Sequence, residues 1–110
     1  GWAVSSNQIA YLKPARVNEP VIIKSAIIDY SDSEIMVEMH MSNEKCSHLK
    51  AILWSRFVHI DISTGKRTNY AMELKDLFKR LRIAGTYEND FNKRVASLKS
   101  TASNQVNIAQ

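Results

Sequence analysis

Residues 34 to 42 alternate without a break. Ile35, Val37, Met39 and Met41 fall on one side of an extended chain, and Glu34, Met36, Glu38 and His40 fall on the other. A period of two fits a β-strand and no helix. A strand of this kind needs neighbours and a core, so the rest of the chain must supply both. The expectation is that the set Ile35, Val37, Met39 and Met41 is buried. The set with Glu34, Glu38 and His40 then forms a charged outer face. Those three could also suggest a metal, but side chains two apart on a strand are too far apart for one ion and no fourth ligand is evident. No metal site is expected.

The neighbours are legible on both sides. Residues 21 to 30 (VIIKSAIIDY) are dense in β-branched residues and read as a strand. Ser31-Asp32-Ser33 is hairpin chemistry between these two segments. Residues 48 to 62 (HLKAILWSRFVHIDI) carry large apolar side chains on both alternation sets, as a strand in the middle of a sheet does. Residues 2 to 12 (WAVSSNQIAYL) read as a partly buried strand that should lie at an edge. Pro14 ends it, because proline cannot donate to a ladder. A succession of hairpins is the simplest topology.

The period changes after residue 70. Leu74, Leu77, Phe78 and Leu81 recur at helical spacing over 71 to 82, with Asn69 as the expected N-cap. A second stripe, Tyr87, Phe91, Val95 and Leu98, implies another helix after Gly85. Residues 99 to 110 are polar and are expected to fray. The class is therefore α+β: four antiparallel strands, then one or two helices. The division is a sheet unit over 1–82 and a helical extension with a polar tail over 83–110.

With 110 residues the chain makes one small domain. Its net charge of +4 comes from interspersed residues of both signs and makes no basic stripe, which argues against a nucleic-acid partner. No apolar run is long enough to cross a membrane as a helix. Cys46 is the only cysteine, so no intrachain disulfide can form, and a reducing cytoplasm is the expected compartment. The sequence opens on Gly1-Trp2-Ala3-Val4, an apolar run with no initiator methionine, and reads as part of a longer chain.

Two segments carry a resemblance. Ile9-Ala10-Tyr11-Leu12-Lys13-Pro14-Ala15-Arg16, followed by Glu19-Pro20-Val21-Ile22-Ile23-Lys24-Ser25, resembles the strand, proline break and next strand of the 4-hydroxybenzoyl-CoA thioesterase-like family. Phe57-Val58-His59-Ile60-Asp61-Ile62-Ser63-Thr64-Gly65-Lys66-Arg67 is similar to that family's last strand and its exit. Tyr70 stands where the family often has proline. The resemblance covers about residues 2 to 81. It implies a hot-dog fold, in which a curved sheet wraps a long central helix. It also implies an acyl-CoA thioester hydrolase, working as a homodimer or dimer of dimers. The first strand, the central helix and the catalytic carboxylate of that fold have no counterpart here and are expected upstream, so the catalytic residue is unknown. No cofactor is implied. The alternative is a non-catalytic hot-dog module that binds an acyl thioester or serves in assembly.

Coenzyme A carries several phosphates, which cationic side chains recognise. Lys13 and Arg16 lie near a strand end, and Arg56 lies in mid-strand on the set of Trp54 and Val58. A mid-strand arginine among apolar residues must find a partner or water. Asn7, on the first strand, is a candidate donor to substrate or to a partner chain. The expected substrate-binding residues are therefore Asn7, Lys13, Arg16 and Arg56.

Overall fold

The computed structural model describes residues 1–82 and 90–99. Four strands form one antiparallel sheet: β1 (Trp2–Tyr11), β2 (Val21–Tyr30), β3 (Glu34–Asn43) and β4 (Leu49–His59). Helix α1 (Met72–Leu81) follows, and a second helix, α2, spans 91–99. Tyr87 and residues 100 to 110 lie outside the described residues.

The sheet order is β1-β4-β3-β2. Strands β2, β3 and β4 succeed one another through hairpins, whereas β1 pairs with β4 and not with β2. The link over 12–20 therefore passes along one end of the sheet. It must cross three strand spacings, about 15 Å. Nine residues reach roughly 30 Å when extended, so the link is long enough where a two-residue turn would not be. β1 is an edge strand, as expected.

The register decides which side chains share a face. Glu38 stands opposite Trp54, Met36 opposite Arg56 and His40 opposite Ile52. A bulge between Ile27 and Asp29 adds Ile28 to the same side. This face is closed by α2. Phe91 and Val95 pack with Ile28, Met36, Ile52 and Trp54 into the core, and Leu98 adjoins them. The rings of Trp54 and Phe91 meet edge-to-face at 5.3 Å. The expected outer face is thus an inner one, and Glu38 is only 3 % exposed. The alternation of β3 predicts two faces correctly but misassigns the more deeply buried one. Helix α2 lies on the face that carries the one buried acid of the sheet among the described residues.

That acid is Glu38. Arg94, three residues beyond Phe91 on the same stripe, donates from Nε to Oε2 at 2.8 Å and from Nη2 to Oε1 at 2.9 Å. Trp54 Nε1 donates to Oε2 at 2.9 Å, and His40 Nε2 lies 2.8 Å from Oε1. Burial works against the charge, but the hydrogen bonds from Arg94, His40 and Trp54 outweigh it and hold the carboxyl far below its ordinary value.

Helix α1 docks at the other end of the sheet. Tyr70 stacks between Trp2, at 5.4 Å, and Phe78, at 5.2 Å, and its hydroxyl donates to the Ser31 carbonyl. The N-cap is Ala71, with no side-chain bond, so Asn69 does not cap the helix. Instead Lys75 ties the first turns to Asp32 by an ion pair.

Removing one partner of the Glu38–Arg94 pair leaves a buried charge uncompensated. Arg94→Ala is expected to destabilise the fold by about 3–5 kcal/mol, and Glu38→Leu combined with Arg94→Leu to recover most of that loss. Urea unfolding of the three chains checks both. The depressed Glu38 value also sets a pH dependence. Its contribution is complete above the ordinary carboxylate value of 4.5 and is lost as pH falls below it. The acid limb of the stability curve should flatten in Glu38→Gln.

Candidate functional site: a basic cavity at one end of the sheet

A second irregularity builds the site. Met41 pairs with Ala51, but Ser42 pairs with Leu49, so Lys50 is the extra residue of a bulge in β4. Its carbonyl accepts from both Leu12 N, at 2.8 Å, and Lys13 N, at 3.1 Å. Its side chain turns under the 12–20 link. There Nζ donates to the Pro14 carbonyl and to Glu19 Oε1, both at 3.0 Å, and lies 2.6 Å from Glu19 Oε2. Lys50 is only 8 % exposed. The hydrogen bond from Lys50 and its charge hold the Glu19 carboxyl below its ordinary value, against an opposing effect of burial, and a backbone hydrogen bond from Arg16 together with the Arg16 charge adds to the lowering.

Beside this ion pair lies a cavity of about 390 Å³ lined by Lys13, Pro14, Arg16, Glu19, Asn43, His48 and Lys50. Two expected site residues, Lys13 and Arg16, are brought together here. Neither has a side-chain hydrogen bond or ion pair among the described residues. The turn between β3 and β4 forms the opposite wall. Asn43 Oδ1 accepts from the backbone N–H groups of Ser47, at 2.9 Å, and His48, at 3.0 Å. Exposed Cys46 sits in the same turn at φ 56°.

The other two expected residues lie elsewhere. Arg56 is about 20 Å further along β4 at the usual rise per residue. It donates from Nη1 to Glu34 Oε2 at 2.8 Å, on the face closed by α2. Asn7 lies on the opposite face, opposite Ser55, whose hydroxyl donates to Asn7 Oδ1 at 2.6 Å. The side-chain roles of Lys50, His48 and Asn43 are not legible in the sequence, because nothing in a run of strand residues marks where a bulge falls. Asn43 and Ser47 signal a polar turn and no more.

The face that carries Asn7 is apolar and open. Ile9, Tyr11, Ile23, Met39, Met41, Ala51 and Leu53 line a trough of about 180 Å³ with His40 at its margin. Ile9 is 47 % exposed and Ile23 64 %. Among the described residues no helix covers it.

A four-stranded antiparallel sheet in the order β1-β4-β3-β2, with helices after the last strand, is a hot-dog-like α+β architecture. The model of the thioesterase-like superfamily matches residues 1–96, and the chain belongs to that family. Solved structures agree on the fold. A DHNA-CoA thioesterase from Staphylococcus aureus superposes with a TM-score of 0.66 at 20% identity, over 72% of this chain and 54% of that one. A Staphylococcus aureus protein in complex with CoA gives 0.69 at 11% identity, over 81% and 58%. A Thermus thermophilus thioesterase complexed with coenzyme A and Zn gives 0.62 at 13% identity, over 71% and 59%. The chain thus spans less than two thirds of the length of these structures. No curated protein matches it in sequence. No described helix is long and apolar enough to cross a membrane.

Lys50 holds the 12–20 link to the sheet through two hydrogen bonds to its charged group. Lys50→Met is expected to speed proteolytic cleavage within 13–20 by about tenfold or more, the factor that corresponds to losing such bonds. Limited trypsin or subtilisin digestion followed by mass spectrometry reads this directly.

Proposed function

We propose that this chain is the sheet-forming segment of an acyl-CoA thioesterase, which hydrolyses the thioester to a free acid and coenzyme A. The observation that carries the reading is the open apolar face of a sheet belonging to the thioesterase-like superfamily. Each large apolar side chain left in water forgoes on the order of 1.5–3 kcal/mol. A domain of this size has only about 5–15 kcal/mol in total. Ile9, Ile23, Met39, Met41 and Leu53 therefore call for a cover. The resemblance supplies one: a strand and a long helix that precede β1, with the helix seated on this face. The catalytic carboxylate belongs to that segment, at the start of the helix. Within the present residues, Lys13 and Arg16 serve the phosphates of coenzyme A. Asn7 and Arg56 are the further candidates for contact with substrate or with a partner chain. Relatives solved with coenzyme A bound support the choice of ligand.

The test is thiol release from several acyl-CoA substrates. The 110-residue chain alone is expected to be inactive, and a longer polypeptide with the preceding strand and helix to be active. Activity in the short chain would place the catalytic group within it and overturn this division. Binding without hydrolysis by the longer polypeptide would favour a non-catalytic module.

The open edge of β1 bears on assembly. Val4, Ile9 and Tyr11 are exposed along it, and an unpaired edge of this kind invites another strand. Pairing of β1 with its copy across a two-fold axis gives a homodimer with a continuous sheet. Sedimentation should find a dimer or a dimer of dimers; a monomer at high concentration would exclude the pairing.

A further inference from the structure

The backbone sets limits to the open edge of β1. At its C-terminal end Leu12 N, at 2.8 Å, and Lys13 N, at 3.1 Å, both donate to the Lys50 carbonyl. Lys13 thus has no N–H left for a strand outside the sheet, and Pro14 has none at all. At the other end the register slips between Val4 and Ser6, which makes Ser5 the extra residue of a bulge. The regular edge therefore runs from Ser6 to Leu12. Leu12 turns its N–H toward β4, and backbone groups alternate along an antiparallel ladder. Ala10, Gln8 and Ser6 face β4 as well, while the N–H and C=O groups of Asn7, Ile9 and Tyr11 point away from the sheet. No charged side chain guards this edge: β1 has none, whereas β2 carries Lys24 and Asp29.

A second copy of the chain that adds to this edge about a two-fold axis runs antiparallel to it. Hydrogen-bonded pairs form only where both residues point outward. An axis at Asn7 or at Tyr11 pairs that residue with its own counterpart and no other, because the next pair meets the bulge at Ser5 or the occupied N–H of Lys13. An axis at Gln8 pairs Asn7 with Ile9 and sets Tyr11 against the bulge. An axis at Ala10 pairs Ile9 with Tyr11 and sets Asn7 against Lys13. An axis at Ile9 pairs Ile9 with its counterpart and Asn7 with Tyr11 in both directions. It alone leaves no outward group of the regular edge unpaired.

We propose that two copies join through β1 in this one register, with the axis between their Ile9 residues and Asn7 of each against Tyr11 of the other. The register rests on the homodimer proposed above. Facing residues of an antiparallel pair put their side chains on the same side. Asn7 of the second copy therefore stands beside Tyr11, which is 77 % exposed in the single chain. Tyr11 lines both the apolar trough and an adjoining cavity of about 540 Å³ formed with Leu12, Lys13, Pro14, Ala15 and Met41. Each copy thus adds a wall residue to the other's trough, and the Ser55 hydroxyl, bonded to Asn7 Oδ1 at 2.6 Å, positions it.

Single cysteines in a Cys46→Ser background read the register, because a disulfide spans Cα atoms no more than about 7 Å apart. Under mild oxidation of the 110-residue chain, Ile9→Cys should give a covalent dimer. Asn7→Cys, Gln8→Cys, Ala10→Cys and Tyr11→Cys should not, since each lies about 8 Å or more from its own counterpart at the usual strand spacings. Asn7→Cys mixed with Tyr11→Cys should cross-link one to the other. Ile9→Pro removes an outward N–H, which an edge strand tolerates. Its circular dichroism should match the wild type while its dimer weakens about tenfold or more, as loss of the central hydrogen bonds requires. A dimer in sedimentation that cross-links through any of the other four single cysteines, or that is unchanged in Ile9→Pro, would overturn the register and leave the homodimer standing. A monomer in sedimentation would remove both. Thiol release by the longer polypeptide tests the hydrolase reading separately from either.

Discussion

The Glu38 carboxylate is the constraint on which the architecture turns. It sits among Met36, Ile52 and Trp54 on a face that a packed helix covers, where an unpaired charge would be prohibitive. Four donors make it tolerable: two from Arg94 and one each from Trp54 and His40. Only one of these comes from the strand that carries Glu38, and the Arg94 pair comes from an element 56 residues away. The fork of the guanidinium fits both carboxylate oxygens at once, which fixes how α2 lies on the sheet as well as whether it lies there. An apolar stripe alone would hold the helix more loosely in register. The pair contributes specificity to a contact whose strength comes from Phe91, Val95 and Leu98.

Among the described residues, α2 closes that face and leaves the other open. The trough lined by Ile9, Ile23, Met39, Met41 and Leu53 lies on the open face. This is also the face toward which Asn7 is held by Ser55. The two faces therefore differ in kind. One is sealed by an internal helix and an ion pair. The other is apolar and uncovered among the described residues.

Irregularities in the strands place the remaining chemistry. The bulge at Ile28 feeds the core. The bulge at Lys50 turns a side chain that would otherwise follow the alternation of β4 into the anchor of the 12–20 link. That anchor neutralises Glu19 and leaves Lys13 and Arg16 around a cavity whose far wall is the Asn43–His48 turn. The cavity exists because β1 crosses to β4. Had β1 paired with β2, the link and the β3–β4 turn would not share the same corner around Lys50.

Alternation and β-branched density are local properties, so the four strands, the helix over 72–81 and the edge position of β1 were legible from the residues alone. The resemblance of the proline break and the last-strand exit was enough for the family. Lys13 and Arg16 were also visible as cations near a strand end. Which face of β3 is the buried one was not visible, because both sets contain apolar residues and the choice depends on Arg94 meeting Glu38 across the fold. Nor were the partners of Arg56, the anchoring role of Lys50, the place of His48 in the cavity wall, or the pairing of β1 with β4. Each depends on register, and register is a property of two chain segments together: a single extra residue at Lys50 or Ile28 shifts which side chains meet without leaving any mark in the hydrophobic pattern.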